Sequence, residues 1–415
     1  MKILVYPHDL GVGGSQLNAI EIAHEISRQG HETLVYGQPG PLCARIDELG
    51  LEFVESPPVH RRPTRSVVQD IGRLIDQRGI DIVHGYEWPP GLESYLACRG
   101  RAAAPVATVM SMAVAPFLPH SMPLVVGTEQ IAASERGRRR QLVSVIEPPV
   151  DLVGNRPGVA GDAHATREQW NLRGELPIIV CVTRLARELK LEGLLTAIAA
   201  IAVLDRSCPA QLLIVGDGPA RKEVEDSARR VNEAIGRRAV VLTGEVADPR
   251  SAYDLADVCI AMGGSALRSM AFAKPLIVQG EGGFFRLLTP DTLPEFLWTG
   301  WYGHGSLTGN PVEELRALLD RLLLDPVRRL ELGLFARQVV EDRFSLTAAA
   351  TTQLEVYDGA QHQSRRTGHE EIVATARFAR HDLVRRTRRW LGRTAEDDFN
   401  ARPVARDALP RPSTS

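Results

Sequence analysis

Short apolar runs alternate with amphipathic stretches along this chain, and the whole alternation occurs twice. In the first half, apolar runs at residues 3–6, 33–36, 53–54, 81–84, 106–110, 124–126 and 143–146 predict strands. Between them, Leu17, Ile20, Ile22, Ala23 and Ile26 form one stripe on a helix over 16–29. Val67, Val68, Ile71, Leu74 and Ile75 do the same over 66–78. The strands lack a polar alternation, as expected of parallel strands covered on both faces. Glu147-Pro-Pro-Val-Asp151 and the Gly-, Pro- and Asn-containing stretch to about 165 break both periods and predict an interdomain linker. Strands then resume at 177–182, 211–215, 240–242, 257–261 and 276–278, and helices over 312–324, 326–341 and 346–357 close the pattern.

This order predicts an α/β protein of two Rossmann-like parallel-sheet domains facing a central cleft. The expected boundaries are 1–155 for an N-terminal domain, 156–360 for a C-terminal domain, and 361–415 for an Arg-rich, partly disordered tail. Composition narrows the class. Of 415 residues, 44% are hydrophobic and 24% charged, as in soluble globular proteins, and the net charge of -2 gives no global attraction to nucleic acid. Cys43, Cys98, Cys181, Cys208 and Cys259 are scattered without a CxxC pair, and read as buried thiols of a reducing compartment. The apolar start at 3–6 is too short for a signal peptide, and the longest apolar run, 194–204, is well under the ~20 residues that span a bilayer. A cytoplasmic protein, or one lying on the inner membrane face, is expected. The tail supplies the second option: between Arg365 and Arg393 nine arginines face three acids. Phe378, Leu383, Val384, Trp390 and Leu391 among them suit a basic amphipathic helix on anionic lipid; a solvated extension fits equally.

Candidate chemistry collects where strands hand over to helices. Arg184 and Lys190 follow the strand at 177–182, where two fixed cations serve either a bound diphosphate or a solvated charge cluster with Arg187 and Glu188. Gly216-Asp217-Gly218-Pro219 follows the next strand, and either makes a tight turn or offers backbone to a ligand. Gly263-Gly264-Ser265 opens a helix whose amides favour an anion, and Arg268 reads as a cation near its first turn, unfavourable there without an anionic neighbour. Glu281, flanked by glycines after 276–278, is placed either to accept from sugar or ribose hydroxyls or to sit in a polar turn. In the first half, Gly13-Gly14 opens the first long helix, as turn or as anion contact. His84 and Glu87 end a strand beside Trp88, whose ring can stack on a sugar; packing in the loop is the rival role for His84. No HxxxH, CxxC or DxD pattern indicates a metal.

Over residues 1–357 the chain resembles the family-four retaining glycosyltransferases of GT-B architecture. The resemblance is carried by Gly13-Gly14, Pro148–Asp151, Arg184 with Lys190, the run at 214–219, Thr243-Gly-Glu-Val246, and Tyr253 with Ala256-Asp257-Val258. It implies that the C-terminal domain holds a nucleoside diphosphate sugar as co-substrate, that Arg184 and Lys190 contact its diphosphate as the catalytic cations, and that Gly13-Gly14 faces the diphosphate from the other domain. Donor contacts then fall on Gly13, Gly14, Gly216, Asp217, Gly218, Gly264, Ser265, Arg268 and Glu281, and acceptor contacts on His84 and Glu87. Neither a further cofactor nor a metal is implied. Two departures stand out. The family's pair of glutamates eight positions apart falls on Ile260 and Arg268, and its histidine after the strand at 106–110 is replaced by Met110-Ser-Met112, with His120 further along.

The expected reaction moves a sugar from the nucleoside diphosphate sugar to a hydroxyl of a carbohydrate or lipid-linked acceptor. It proceeds with retention and without metal, as Arg184 and Lys190 stabilise the departing diphosphate. The lost glutamate pair keeps two alternatives open: a non-catalytic sugar-nucleotide binder, or an epimerase or hydrolase of the same architecture.

Overall fold

The computed structural model describes residues 1–59, 62–137, 143–159, 161, 163–174, 176–362 and 369–390. It divides into two compact units, one formed by residues up to Pro149 together with the chain from Leu346 onward, the other by Val150–Ser345.

In the first unit, strands β1 (Lys2–Tyr6), β2 (Glu32–Gly37), β3 (Glu52–Glu55), β4 (Ile82–Tyr86), β5 (Ala104–Val109), β6 (Leu124–Val126) and β7 (Val143–Val145) form one sheet in the order β3-β2-β1-β4-β5-β6-β7. Every pairing in it is parallel. The strand period of two explains the missing polar alternation. Ile3 and Val5 pack with Ile20, Ile26 and Tyr357 on one face, while Leu4 and Tyr6 meet Ile71, Leu74 and Ile75 on the other.

In the second unit, β8 (Ile178–Val182), β9 (Gln211–Val215), β10 (Val240–Leu242), β11 (Val258–Ala261), β12 (Leu276–Gln279) and β13 (Phe285–Leu287) run in the order β10-β9-β8-β11-β12-β13. Here Ile178 and Val180 join Tyr253, Phe272, Trp301 and Phe344, and Ile179 and Cys181 join Leu194, Ile198 and Ile201. The sequence pattern missed β13, which is short and pairs antiparallel to β12.

The expected boundaries need correction. The helix Leu346–His362 does not close the second unit, as a limit at 360 required. Thr347 bonds to Glu25, and Tyr357 lies in the core of the first unit, where its hydroxyl meets His84 at 2.7 Å. The expected linker is also shorter than its composition suggested. Arg337 donates to the Asn155 carbonyl at 2.9 Å and Gly158 N–H donates to Asp254, which ties 155–158 into the second unit. Within the tail, His369–Trp390 is helical; Leu391 and the remainder lie outside the described residues. No helix among the described residues is long and apolar enough to cross a membrane.

Candidate functional site

Each sheet changes direction of winding once, and the candidate residues gather at those points. In the second unit the chain passes from β8 to β9 on one side and returns to β11 on the other. The carboxyl ends of β8 and β11 therefore flank the place where open α/β sheets bind ligands. Arg184 to Lys190 leave β8, and Gly263 to Ser265 leave β11.

Backbone contacts fix the loop after β8. Leu185 N–H donates to the Asp217 carbonyl and Ala220 N–H to the Leu185 carbonyl, both at 2.9 Å. This approach explains the glycines after β9. A Cβ on Gly216 would lie 2.0 Å from the Thr183 carbonyl oxygen, and one on Gly218 2.6 Å from that of Leu185, with both φ angles positive. Asp217 also serves the turn. It accepts from Gly218 N–H at 2.7 Å and from Arg221 at 2.5 Å, contacts that hold its carboxyl below the usual range. Of the readings left open for Gly216, Asp217 and Gly218, the turn accounts for their visible contacts.

The cations divide differently. Arg187 pairs with Glu223 at 2.6 Å. Arg184 is exposed and Lys190 half-buried, and among the described residues neither makes an ion pair. Burial pulls the Lys190 ammonium down to about 8, partly offset by Cys181, whose own thiol burial pushes up to about 12. Lys190 caps the helix Leu191–Leu204, immediately after Leu189 at φ 62.

After β11, Gly263 takes φ 57 and its N–H reaches the Trp301 carbonyl at 3.0 Å, starting the helix Gly264–Ala271. The Ser265 hydroxyl donates to the Met262 carbonyl at 2.9 Å, while the side of Gly264 opens on free space. Arg268 requires a correction. It lies in the helix's last turn, where a cation suits the dipole, so its position does not call for an anion. It is half-buried beside the buried Tyr253 and makes no ion pair among the described residues. Ile260 is core, 1% exposed. Beyond β12, Glu281 accepts from the buried Tyr302 hydroxyl at 2.5 Å, and its backbone pairs with the strip at Gly303–Gly305.

In the first unit the corresponding point lies between β1 and β4. Gly13 is extended and caps the helix Gly14–Arg28 without a side-chain bond. Ahead of it, Asp9 accepts from Gly11 N–H at 2.8 Å and Gln16 at 2.9 Å. His84 cannot meet an acceptor as expected. It is fully buried, with Nδ1 2.7 Å from the Tyr357 hydroxyl and Nε2 2.7 Å from that of Thr108. Desolvation pulls its pKa down to about 3, so the ring is neutral. Glu87 is likewise committed. At φ 68 it turns back, and its carboxylate accepts from Met110 N–H at 2.8 Å, Ser111 N–H at 3.1 Å and the Ser111 hydroxyl at 2.7 Å. It thereby shapes the segment where the family's histidine is missing.

Two clusters escaped the sequence reading because their members are far apart in the chain. The fully buried Glu93 accepts from the Tyr6 hydroxyl at 2.9 Å, Arg62 at 2.5 Å and Thr64 N–H at 2.6 Å. Trp88 and Phe117 meet edge-to-face at 5.1 Å, joined by Phe378 and His381 of the helix His369–Trp390. Such ring pairs contribute about 0.5–1.5 kcal/mol each beyond area burial. His120, the displaced histidine, turns Nε2 toward Arg377 at 3.3 Å.

The family described as Glycosyltransferase Family 4 matches residues 12–112, and the one described as Glycosyl transferases group 1 matches 176–301; together they take in more than half of the chain. A GDP-mannose-dependent monoacylated alpha-(1-6)-phosphatidylinositol monomannoside mannosyltransferase of Corynebacterium glutamicum is 28% identical over 210 residues. That match covers 47% of this chain and spans only about half, 51%, of the relative. Among solved structures, a glycosyltransferase from Rickettsia africae aligns with TM-score 0.66 at 18% identity, over 88% of this chain and 99% of its own. Anabaena HepE in complex with UDP-glucose aligns with TM-score 0.66 at 14% identity, over 86% and 99%. At such identities the structures establish the shared GT-B fold. Each of its two sheets thus carries a match to a glycosyltransferase family model, and the chain has the GT-B fold.

Proposed function

We propose that the protein transfers a sugar from a nucleoside diphosphate sugar to a hydroxyl of a carbohydrate or lipid-linked acceptor, with retention and without a metal. The observation that carries this reading is the pair Arg184 and Lys190, held at the switch point of the second sheet with no carboxylate among the described residues to neutralise either. As the sugar–oxygen bond breaks, charge accumulates on the departing diphosphate. Two prepositioned cations stabilise that state more than the ground state. Gly264 and Ser265 offer backbone N–H groups on the neighbouring loop, and Gly13 and Gly14 do so in the first unit. The departing phosphate oxygen takes the acceptor proton, so the burial of His84 leaves the reaction intact. Support also comes from the relatives: one is named for a GDP-mannose donor and a phosphatidylinositol mannoside acceptor, another is bound to UDP-glucose. The segment 365–393 would bring the protein to the inner membrane face.

Arg184→Ala and Lys190→Ala should each lower turnover by about 10–1,000-fold in a diphosphate-release assay. Near-wild-type turnover in both variants would remove this site. One observation favours a second reading, a binder without turnover: neither Ile260 nor Arg268 supplies the family's carboxylate. Nucleotide sugars that raise the melting temperature yet are never consumed, with any acceptor class, would select it.

A further inference from the structure

The helix His369–Trp390 has two unlike faces. Ala374, Phe378 and His381 recur at helical spacing and are half-buried. Phe378 lies 5.3 Å and His381 4.9 Å from the Phe117 ring, at 6.3 and 6.4 Å from that of Trp88. Arg377 adds contacts to His120 Nε2 at 3.3 Å and the Pro116 carbonyl at 3.4 Å. The other face is left in solvent: Ala376, Ala379, Arg380 and Thr387 are exposed there, with Leu383 at 63% and Val384 at 42%. The sequence then runs Arg385-Arg386-Thr387-Arg388-Arg389.

The docked face holds one particular place. Trp88 is the first residue of the helix that follows β4, and Phe117 and His120 belong to the segment that follows β5. Both lie at the carboxyl edge of the first sheet, where a ligand of this unit is expected.

We propose that His369–Trp390 is an adapter: its aromatic face grips the ligand-binding edge of the first unit, and its outer face lies on an anionic bilayer. Arg380 among the exposed Ala376, Ala379, Leu383 and Val384, ahead of four further arginines in the sequence, has the chemistry of a helix lying in an anionic interface. A helix fixed at both faces holds Trp88 close to the lipid headgroups, so an acceptor hydroxyl carried by a lipid reaches that edge without leaving the bilayer. The proposal deepens the membrane contact in the proposed function and rests on that reading for the acceptor alone. Its test needs no turnover.

The full chain is sedimented with vesicles of phosphatidylglycerol and phosphatidylcholine, and with phosphatidylcholine alone. Energy transfer from Trp88 to a dansyl lipid is taken as the difference between Trp390→Phe and Trp390→Phe/Trp88→Phe proteins. The wild type should bind the anionic vesicles alone, and Leu383→Asp should weaken partition about fivefold or more. Phe378→Ala should keep partition within about twofold but abolish Trp88 transfer, while Phe378→Tyr, which retains the ring, retains transfer. Equal binding to neutral vesicles, wild-type partition of Leu383→Asp, or Trp88 transfer unaltered by Phe378→Ala would each overturn the adapter. Absent glycosyl transfer with these results intact would count against the proposed reaction instead.

Discussion

The carboxyl edges of the two sheets share an architecture and differ in how their charges are spent. In the first unit, Glu93 is saturated by Tyr6, Arg62 and Thr64, Glu87 is bound to 110–111, and His84 is neutral between two hydroxyls. In the second, Arg184, Lys190 and Arg268 have no carboxylate partner among the described residues. One edge is electrostatically finished; the other keeps cations without a carboxylate partner among the described residues. Polar groups at the first edge hold the protein together, whereas the proposed reaction assigns Arg184 and Lys190 at the second to a ligand.

Substitution should separate these roles. The largest expected loss of stability is at the first edge: Glu93→Ala leaves Arg62 buried without its partner and should cost about 3–5 kcal/mol in urea unfolding. Arg184→Ala, by contrast, should stay within about 0.5 kcal/mol of wild type, and a comparable loss in both would erase the distinction. Next, Gly216→Ala drives a Cβ to 2.0 Å from the Thr183 carbonyl at φ 138. It should cost about 1–3 kcal/mol and weaken nucleotide binding, because the loop carrying Arg184 must shift. Unchanged binding would detach that loop from the donor site.

The pH responses of the two edges should also differ. His84 titrates near 3 when folded and at 6.5 when free, so the unfolded chain binds the extra proton between those values. Its contribution is constant above about 6.5 and falls by about 1.4 kcal/mol per pH unit below it; His84→Gln should flatten that slope in melts. Lys190 instead affects function on the alkaline side. Its ammonium is lost as pH rises through about 8, so kcat/KM should decline there, and Lys190→Arg should remove the decline. A wild-type profile flat through that range would leave Lys190 without a charge role.

The sequence made the βαβ order readable because strands covered on both faces are continuous apolar runs. It also located the loop with Arg184 and Lys190, since position after a strand is a local property. Partnership was not readable. His84 looked available until Thr108 and Tyr357, the latter from a helix near the end of the chain, closed on it. Arg268 looked misplaced because the helix Gly264–Ala271 is so short that its fifth residue already lies in the last turn. The aliphatic period of 346–357 fixed a helix but not which sheet it would cover, since either core offers a similar apolar face.

The return of Leu346–His362 to the first sheet has a consequence for biosynthesis. Val150–Ser345 is an uninterrupted stretch and is fully available once it has left the ribosome. The earlier-made lobe must wait, with His84 and its neighbours uncovered, until Tyr357 arrives. The part of the chain translated first is thus among the last to be sealed, and a nascent chain stopped before Leu346 would carry that open apolar face.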